Sequence, residues 1–580
     1  MGKISGEIAE QLQTVLEQAD IRQWVVQMVE EMVNIDTIPS EDLKTAAEQE
    51  SHVFDLIEEH VRDIYGTECE VERAPIDPRI QEEPAYTQPF YAGGADGEVP
   101  SADMVYENRC NLVVRIPGQE KGIIAINAHV DTVGPFFPFE KKANRLVGRG
   151  AVDDKGQIAM ILAAARILKQ VGEASEEATH PDLCLQFVID EEMGGNGSLS
   201  LAADRQRRWD CVVVCEATEQ KAHPANRGAT WYRIELSTNS RINAGLVGAE
   251  ILLALRKEGE TIRSESDHPL FPDRPVQTCN GEFGSWGMHP SRVCPMMGLS
   301  VVSRGNGSDD LRDRVDSCCQ KGCDAYCQKY GDATEKPDID APGQPMVIRH
   351  YDIVDGNSDV FVAVYGRSGH MGKIRELDCA ATKAAYIFRE LADEFEDDEV
   401  ELVLADAPPA EQQRPPQSRD DETLYFEPNP DSQGGLVLEG GQGFVPTHSI
   451  EDVQARVENA AREAMKKYLE EKGESQDAAS LRVSFERLHN NAFERPVECP
   501  CMRAMVAARE AAGCKAQKPI RGWEVSCDAR LFADLRPGSD IVTFGAGELR
   551  YAHSEEESVR TDEIMTGAKV LAYFALLYGI

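Results

Sequence analysis

Three short apolar runs decide what kind of fold this chain can adopt. Gly122-Ile-Ile-Ala-Ile-Asn127, Leu183-Cys-Leu-Gln-Phe-Val-Ile189 and Val212-Val-Val-Cys215 are apolar along nearly their whole length. A strand with one face in water alternates apolar and polar residues. A run without alternation predicts a strand covered on both faces. Each run leads directly into ionisable residues: His129 and Asp131, then Asp190-Glu191-Glu192, then Glu216. Chemically loaded segments at the C-terminal ends of successive buried strands are the arrangement of an open α/β sheet. A helix is predicted between the first two runs, over 156–170, with Ile158, Ile161, Leu162, Ala165 and Leu168 on one face.

The same character does not hold throughout. After Gly228 the strands alternate, as in Thr230–Leu236, Val360–Tyr365 and Leu481–Phe485. Helices are predicted over 243–257, 376–395 and 450–472, and 406–435 is rich in Pro, Gln and Asp. From about Ala492 the first pattern returns, with a strand near Asp540–Phe544 and a terminal helix from Thr561. A chain of 580 residues exceeds one hydrophobic core. The expected fold is therefore α/β, a catalytic domain (1–228 and 490–580) with a central, mostly parallel sheet and flanking helices. An α+β domain at 229–489 interrupts it, and about 259–350 reads as an irregular, Cys-containing insertion there. At the start, 6–36 is predicted as helix, and Ser40 as the cap of a second one ending at Gly66. Residues 75–107 form a Pro/Gly-rich excursion whose Tyr86, Phe90, Tyr91 and Tyr106 are expected to pack over something.

Charge removes several functions. The 60 basic and 101 acidic residues give −41, the wrong sign for nucleic acid or an anionic membrane surface. No apolar run reaches bilayer length, and the N-terminus lacks a secretory h-region. A cytoplasmic protein is expected, with its 16 cysteines as thiols. Cys319, Cys323 and Cys327 recur every fourth residue, one stripe of a helix. That spacing is not the Cys-x2-Cys of a zinc knuckle and favours a buried apolar stripe over a metal or redox module. The acidic runs Asp393–Glu401 and Glu555–Glu557 read as solvated faces.

A hydrolytic site with two metal ions needs a bridging carboxylate, terminal His or carboxylate ligands, a base, and groups that orient the imidazoles. Here His129 can ligate and Asp131 can hold its other ring N–H. Asp153, in Gly148-Arg-Gly-Ala-Val-Asp153-Asp-Lys-Gly156, can bridge, Glu192 and Glu216 can close the shells, and Glu191 can act as base. Each piece alone has an ordinary structural explanation, such as a strand-end His–Asp pair or a solvated Glu-Glu turn.

Together, and in this order, the pieces resemble a known family. His129-Val-Asp131, Gly148–Gly156, Glu191-Glu192-Met-Gly-Gly, Glu216 and Ala552-His553-Ser-Glu-Glu-Glu557 are similar to the zinc amidohydrolases and peptidases that include acetylornithine deacetylase, succinyl-diaminopimelate desuccinylase, glutamate carboxypeptidase and carnosine dipeptidase. The resemblance implies a domain at 229–489 that acts as a lid and pairs two copies in dimeric members. It implies one metal on His129, Asp153 and Glu216, and another on Asp153, Glu192 and His553. The ions implied are two Zn2+, with Co2+ or Mn2+ in some members, and Asp131 is the orienter. Hydroxide held by the metals attacks an amide or peptide bond, Glu191 is the general base, and the lid residue His370 steadies the oxyanion. Gly545-Ala-Gly547 resembles the loop that meets a substrate carboxylate. The implied substrates are small N-acyl amino acids or dipeptides. Deacylase, dipeptidase and carboxypeptidase all stay open, as does a non-enzymatic binding or scaffold protein on the same fold.

Overall fold

The computed structural model describes residues 6–16, 18–93, 100–304, 310–338, 341, 343–369, 371–395, 399–409, 412–554 and 556–578. The chain divides into two compact units: Met1–Gly228 with His268–Asp273 and Arg487–Ile580, and Ala229–Asp267 with Arg274–Glu486. Among the described residues no helix is long and apolar enough to cross a membrane.

The first unit is built on six strands: β1 (Glu70–Pro75), β2 (Cys110–Ile116), β3 (Ile123–His129), β4 (Asp182–Val188), β5 (Cys211–Val214) and β6 (Asp540–Thr543). Their order across the sheet is β1-β2-β4-β3-β5-β6. β1 and β2 run antiparallel at one edge, while β4, β3, β5 and β6 are mutually parallel. This is the mixed α/β sheet, mostly parallel and flanked by helices, that the apolar runs predict. β5 is buried at every position, because helices cover both faces and leave no side for polar residues.

Helix Lys155–Ala174 lies against β3 and the helices Gly6–Leu16, Ala19–Val33, Leu43–Tyr65 and Thr561–Leu577. It is buried almost continuously from Lys155 to Leu168, and its alanines let neighbouring helices approach closely. The helix predicted over 6–36 is two helices, Gly6–Leu16 and Ala19–Val33. Asp42, not Ser40, caps the next one, its side chain accepting from the Thr45 N–H. Cys211 and Cys501 are joined as a disulfide, and the other fourteen cysteines are free.

The second unit holds two antiparallel sheets. One runs in the order Trp286–Gly287, Thr278–Phe283, Gly435–Phe444, Gly228–Thr238, Ala479–Ser484. The other runs Tyr351–Asp355, Asp359–Tyr365, Met296–Ser303, Val400–Leu404. The stretch 259–350 is not irregular. It begins inside helix Ala244–Glu265, supplies strands Thr278–Phe283 and Met296–Ser303, and adds helix Leu311–Tyr330 against helix Ala380–Glu394. The strands escape a pattern search because Asn280, Gly281, Gly298 and Ser300 interrupt their apolar sequence. The helix carries the expected cysteine stripe: Val315, Cys318, Cys319, Gly322, Cys323 and Tyr326 are among its buried residues, in place of Leu and Ile, and Cys327 is half-buried.

Candidate metal centre

Four parallel strands aim their C-terminal ends at one place. His129 is the last residue of β3, paired in register with Val188 at the end of β4. Glu191 and Glu192 follow β4, Glu216 follows β5, and His553 comes in the loop beyond β6. Asp153 arrives separately, just ahead of helix Lys155–Ala174.

The carboxylate of Asp153 faces two imidazoles with different oxygens. His129 Nε2 lies 3.0 Å from Oδ1, and His553 Nε2 lies 3.3 Å from Oδ2. His553 Nε2 is also 2.9 Å from Glu192 Oε1. Ligand atoms of His129, Asp153, Asp154 and Glu216 lie within 4.8 Å of one another, as do those of Asp153, Glu192 and His553. Asp153 belongs to both groups, which is the disposition of a bridging carboxylate.

Burial raises the pKa values of Glu191, Glu192, Glu216 and Asp154 above the usual carboxylate range, and neighbouring carboxylates add to the shift. Asp153 is the exception. Burial pushes it upward too, but hydrogen bonds and charge from His129 and His553 outweigh burial and hold it below its usual value. Burial opposes the charge on His553, yet Glu192 and Asp153 bring it up to about 10. Even two protonated imidazoles leave an excess of carboxylate here. Cations resolve the excess, and an all-nitrogen and oxygen donor set suits Zn2+, Co2+ or Mn2+. The residues present therefore fit two divalent ions.

Asp131 does more than face His129. His129 Nδ1 sits 3.0 Å from the Asp131 backbone carbonyl and 3.5 Å from its carboxylate, the latter beyond a good hydrogen bond. The carboxylate instead accepts the Glu191 N–H at 3.1 Å and the Glu192 N–H at 3.0 Å, one on each oxygen. It thus fixes the turn that presents both glutamates. Asp190, at φ +61°, starts that turn. Tyr91 and Tyr106 donate to Asp190 Oδ2, and Arg109 donates to Oδ1 and to the buried Glu50. The aromatic excursion therefore packs over the turn carrying Glu191. Asp528 and Arg530, given no role by the sequence, brace its far side: Arg530 donates to the Gly194 carbonyl, and a Cβ at Gly195 would meet Asp528 at 2.1 Å.

Two further residues went unrecognised. Asp154 is fully buried; its Oδ2 accepts the His129 N–H, and its Oδ1 finds no hydrogen-bond partner among the described residues. Glu557, expected in a solvated acidic run, is 1% exposed. It pairs with Arg149 and accepts the N–H groups of Gly150, Val152 and Asp153. Its place four residues after His553 was the signal available. Gly545 and Gly547 have packing reasons of their own: a Cβ at 545 would lie 2.2 Å from the Glu216 carbonyl, and Gly547 has φ +82° against Val152. His370 lies outside the described residues.

The model of peptidase family M20/M25/M40 matches residues 125–577. A peptidase M20 domain-containing protein of Schizosaccharomyces pombe is 30% identical over 120 residues, 21% of this chain and 29% of the relative. An N-formyl-4-amino-5-aminomethyl-2-methylpyrimidine deformylase of Bacillus subtilis is 33% identical over 149 residues, 23% of this chain and 33% of the relative. The chain thus matches about a third of the length of these curated relatives. Human carnosine dipeptidase 1 aligns over 98% of each chain with a TM-score of 0.55 and 12% identity, a likeness of fold.

Proposed function

We propose that this chain, which belongs to peptidase family M20/M25/M40, is a hydrolase with two metal ions that cleaves an amide or peptide bond in small N-acyl amino acids or dipeptides. The observation that carries this reading is Asp153, whose two oxygens face His129 and His553 within a crowd of buried carboxylates. His129, Asp153 and Glu216 would hold one ion, and Asp153, Glu192 and His553 the other, with Asp154 an added donor beside the first. When bound, zinc, cobalt or manganese supplies Lewis acidity toward a carbonyl and a water of lowered pKa.

The chain's own residues do the rest. Glu191, next to the ligand Glu192, takes a proton from the attacking water and returns it to the leaving nitrogen. Its pKa is raised, first by burial and then by Asp528, the direction that favours holding a proton between its two transfers. Asp131 keeps Glu191 and Glu192 in register through their N–H groups. His370 is assigned to the oxyanion. The loop of Gly545 and Gly547, which runs against the Glu216 backbone, is assigned to the substrate carboxylate. Pairing of two copies through the domain at 229–489 belongs to the same reading, and sedimentation tests it.

The test is a hydrolysis screen over N-acyl amino acids and dipeptides with zinc, cobalt or manganese supplied, run on the wild type, Glu191→Ala and Asp153→Ala. Glu191→Ala should retain metal and lose nearly all turnover, and Asp153→Ala should lose metal. Turnover near the wild-type rate in Glu191→Ala would refute the base. A wild type with both ions bound and no hydrolysis of any substrate would make the chain a binding protein on this fold.

A further inference from the structure

The second unit contains a separate gathering of donors that the hydrolytic reading does not use. Cys327 lies in the last turn of helix Leu311–Tyr330, Asp332 follows the helix, and His350 immediately precedes strand Tyr351–Asp355. Cys327 Sγ is 3.4 Å from His350 Nε2, and Asp332 Oδ1 is 3.0 Å from the same nitrogen. The three donor atoms lie within 4.8 Å of one another.

Three chemistries fit such a trio, and the geometry separates them. A nucleophilic Cys–His–Asp relay needs thiol and carboxylate on opposite nitrogens of the ring. Here both address Nε2, so no relay exists. A plain His–Asp hydrogen bond accounts for Asp332 but not for a thiol converging on the same atom. Around a tetrahedral zinc ion, nitrogen and oxygen donors sit about 3.3 Å apart and nitrogen and sulfur about 3.6 Å apart, from ordinary bond lengths. The observed 3.0 and 3.4 Å are within a few tenths of those edges. On the Asp332 side the shell around the trio is also prepared. Asp332 Oδ1 accepts from the Thr334 N–H at 2.8 Å and the Thr334 hydroxyl at 2.6 Å, which fixes the carboxylate.

We infer that Cys327, Asp332 and His350 form a binding site for one divalent transition metal of zinc type, distinct from the catalytic pair. Three protein ligands leave a fourth position for water. The His350 and Asp332 side chains are 15% and 36% exposed, so the site is open to solvent ions. Its thiol separates it chemically from the centre at His129, which offers only nitrogen and oxygen. Burial holds the Cys327 thiol up at about 11, so binding expels its proton to solvent. The ion ties the end of helix Leu311–Tyr330 to both ends of a long connection. Among the described residues that connection is also held by backbone bonds, such as Met346 N–H to the Lys336 carbonyl and Val347 N–H to the Ala333 carbonyl, and by side chains such as Lys336, which donates to the Tyr330 carbonyl.

The test is Co2+ titration of the metal-stripped full-length chain, read by the thiolate-to-cobalt charge-transfer absorption and by metal analysis after dialysis. The wild type should show the absorption and bind one ion more per chain than Cys327→Ser. His350→Gln should lose the absorption although its thiol remains, and Asp332→Asn should weaken binding about 10-fold or more. Equal stoichiometry without thiolate absorption in the wild type would overturn the site. So would absorption that persists in Cys327→Ser, or that keeps its full strength in His350→Gln. Because the difference between wild type and variant is read at a thiolate, it stands whatever the centre at His129 binds.

Discussion

Arg149 and Glu557, 408 residues apart in sequence, form a buried ion pair 2.5 Å long, each side chain 1% exposed. The other Glu557 oxygen accepts backbone N–H groups from Gly150, Val152 and Asp153. The loop that carries the candidate bridging carboxylate is therefore held by a charge from the far end of the chain.

Glu557→Gln keeps the size of the side chain but strands the Arg149 cation. Removing one partner of a buried pair costs about 3–5 kcal/mol. Loosening the support of a ligand lowers metal affinity by about 10–100-fold. Urea unfolding and zinc equilibrium dialysis should show both losses. The double variant Arg149→Met/Glu557→Gln should regain part of the stability, since no buried charge is then left alone. A single variant with wild-type stability and zinc affinity would show that the nest is idle.

Asp131→Asn tests the clamp on the catalytic turn. The amide can accept one N–H with its oxygen but turns an NH2 toward the other. Loss of one charged acceptor is worth about 1.5–3 kcal/mol, or about 10–100-fold in rate if the turn is displaced. Metal content should stay at the wild-type level while kcat falls. Metal loss equal to that of Asp153→Ala would mean that Asp131 serves His129 and not the turn.

How much of this was legible follows from distance along the chain. The apolar runs before His129, Glu191 and Glu216 can be read locally, because a strand covered on both faces has no polar alternation. The Glu557 nest cannot be read locally, and in sequence Glu557 is one of three glutamates in a row. In sequence Asp154 is only the second of two adjacent aspartates, and its burial beside His129 is what marks it as a donor. Tyr91 and Tyr106 were read as packing residues, which they are, but their target Asp190 lies some 80–100 residues on. The spacing of Cys319, Cys323 and Cys327 marks one face of helix Leu311–Tyr330 but not its ends, because Cys and Gly stand in its stripe in place of Leu and Ile. The Cys327 site was missed because two of its ligands are Asp332 and His350, which no cysteine spacing reveals.

Arg109→Met tests that long-range support. Arg109 is fully buried and is the cation between Glu50 and Asp190. Without it two buried carboxylates repel, and a loss of about 3–5 kcal/mol is expected. Activity should fall more than a general loosening explains, because Asp190 begins the turn that presents Glu191. Measured at a temperature where both proteins are fully folded, a kcat within two- to threefold of wild type would detach the network from the site.

His223 gives the chain an acid-sensitive point away from the candidate metal ligands. Its backbone N–H and carbonyl pair with Thr543, and its Nδ1 lies 2.9 Å from the Arg521 carbonyl. Burial lowers its pKa from 6.5 to about 4, so the folded protein keeps the ring neutral where the unfolded chain would protonate it. The sign follows: the contribution is fully present above pH 6.5 and is lost as pH falls toward 4. The shift corresponds to about 3 kcal/mol in all, at no more than about 1.4 kcal/mol per pH unit. His223→Asn keeps a side-chain N–H for Arg521 and removes the titration. Unfolding by urea at pH 7, 5.5 and 4.5, with metal removed from both proteins, isolates the effect. The stability advantage of wild type over Asn should shrink steadily on acidification and reverse if it is small at neutral pH. A difference that stays constant across the three conditions would mean that the buried ring does not govern acid unfolding.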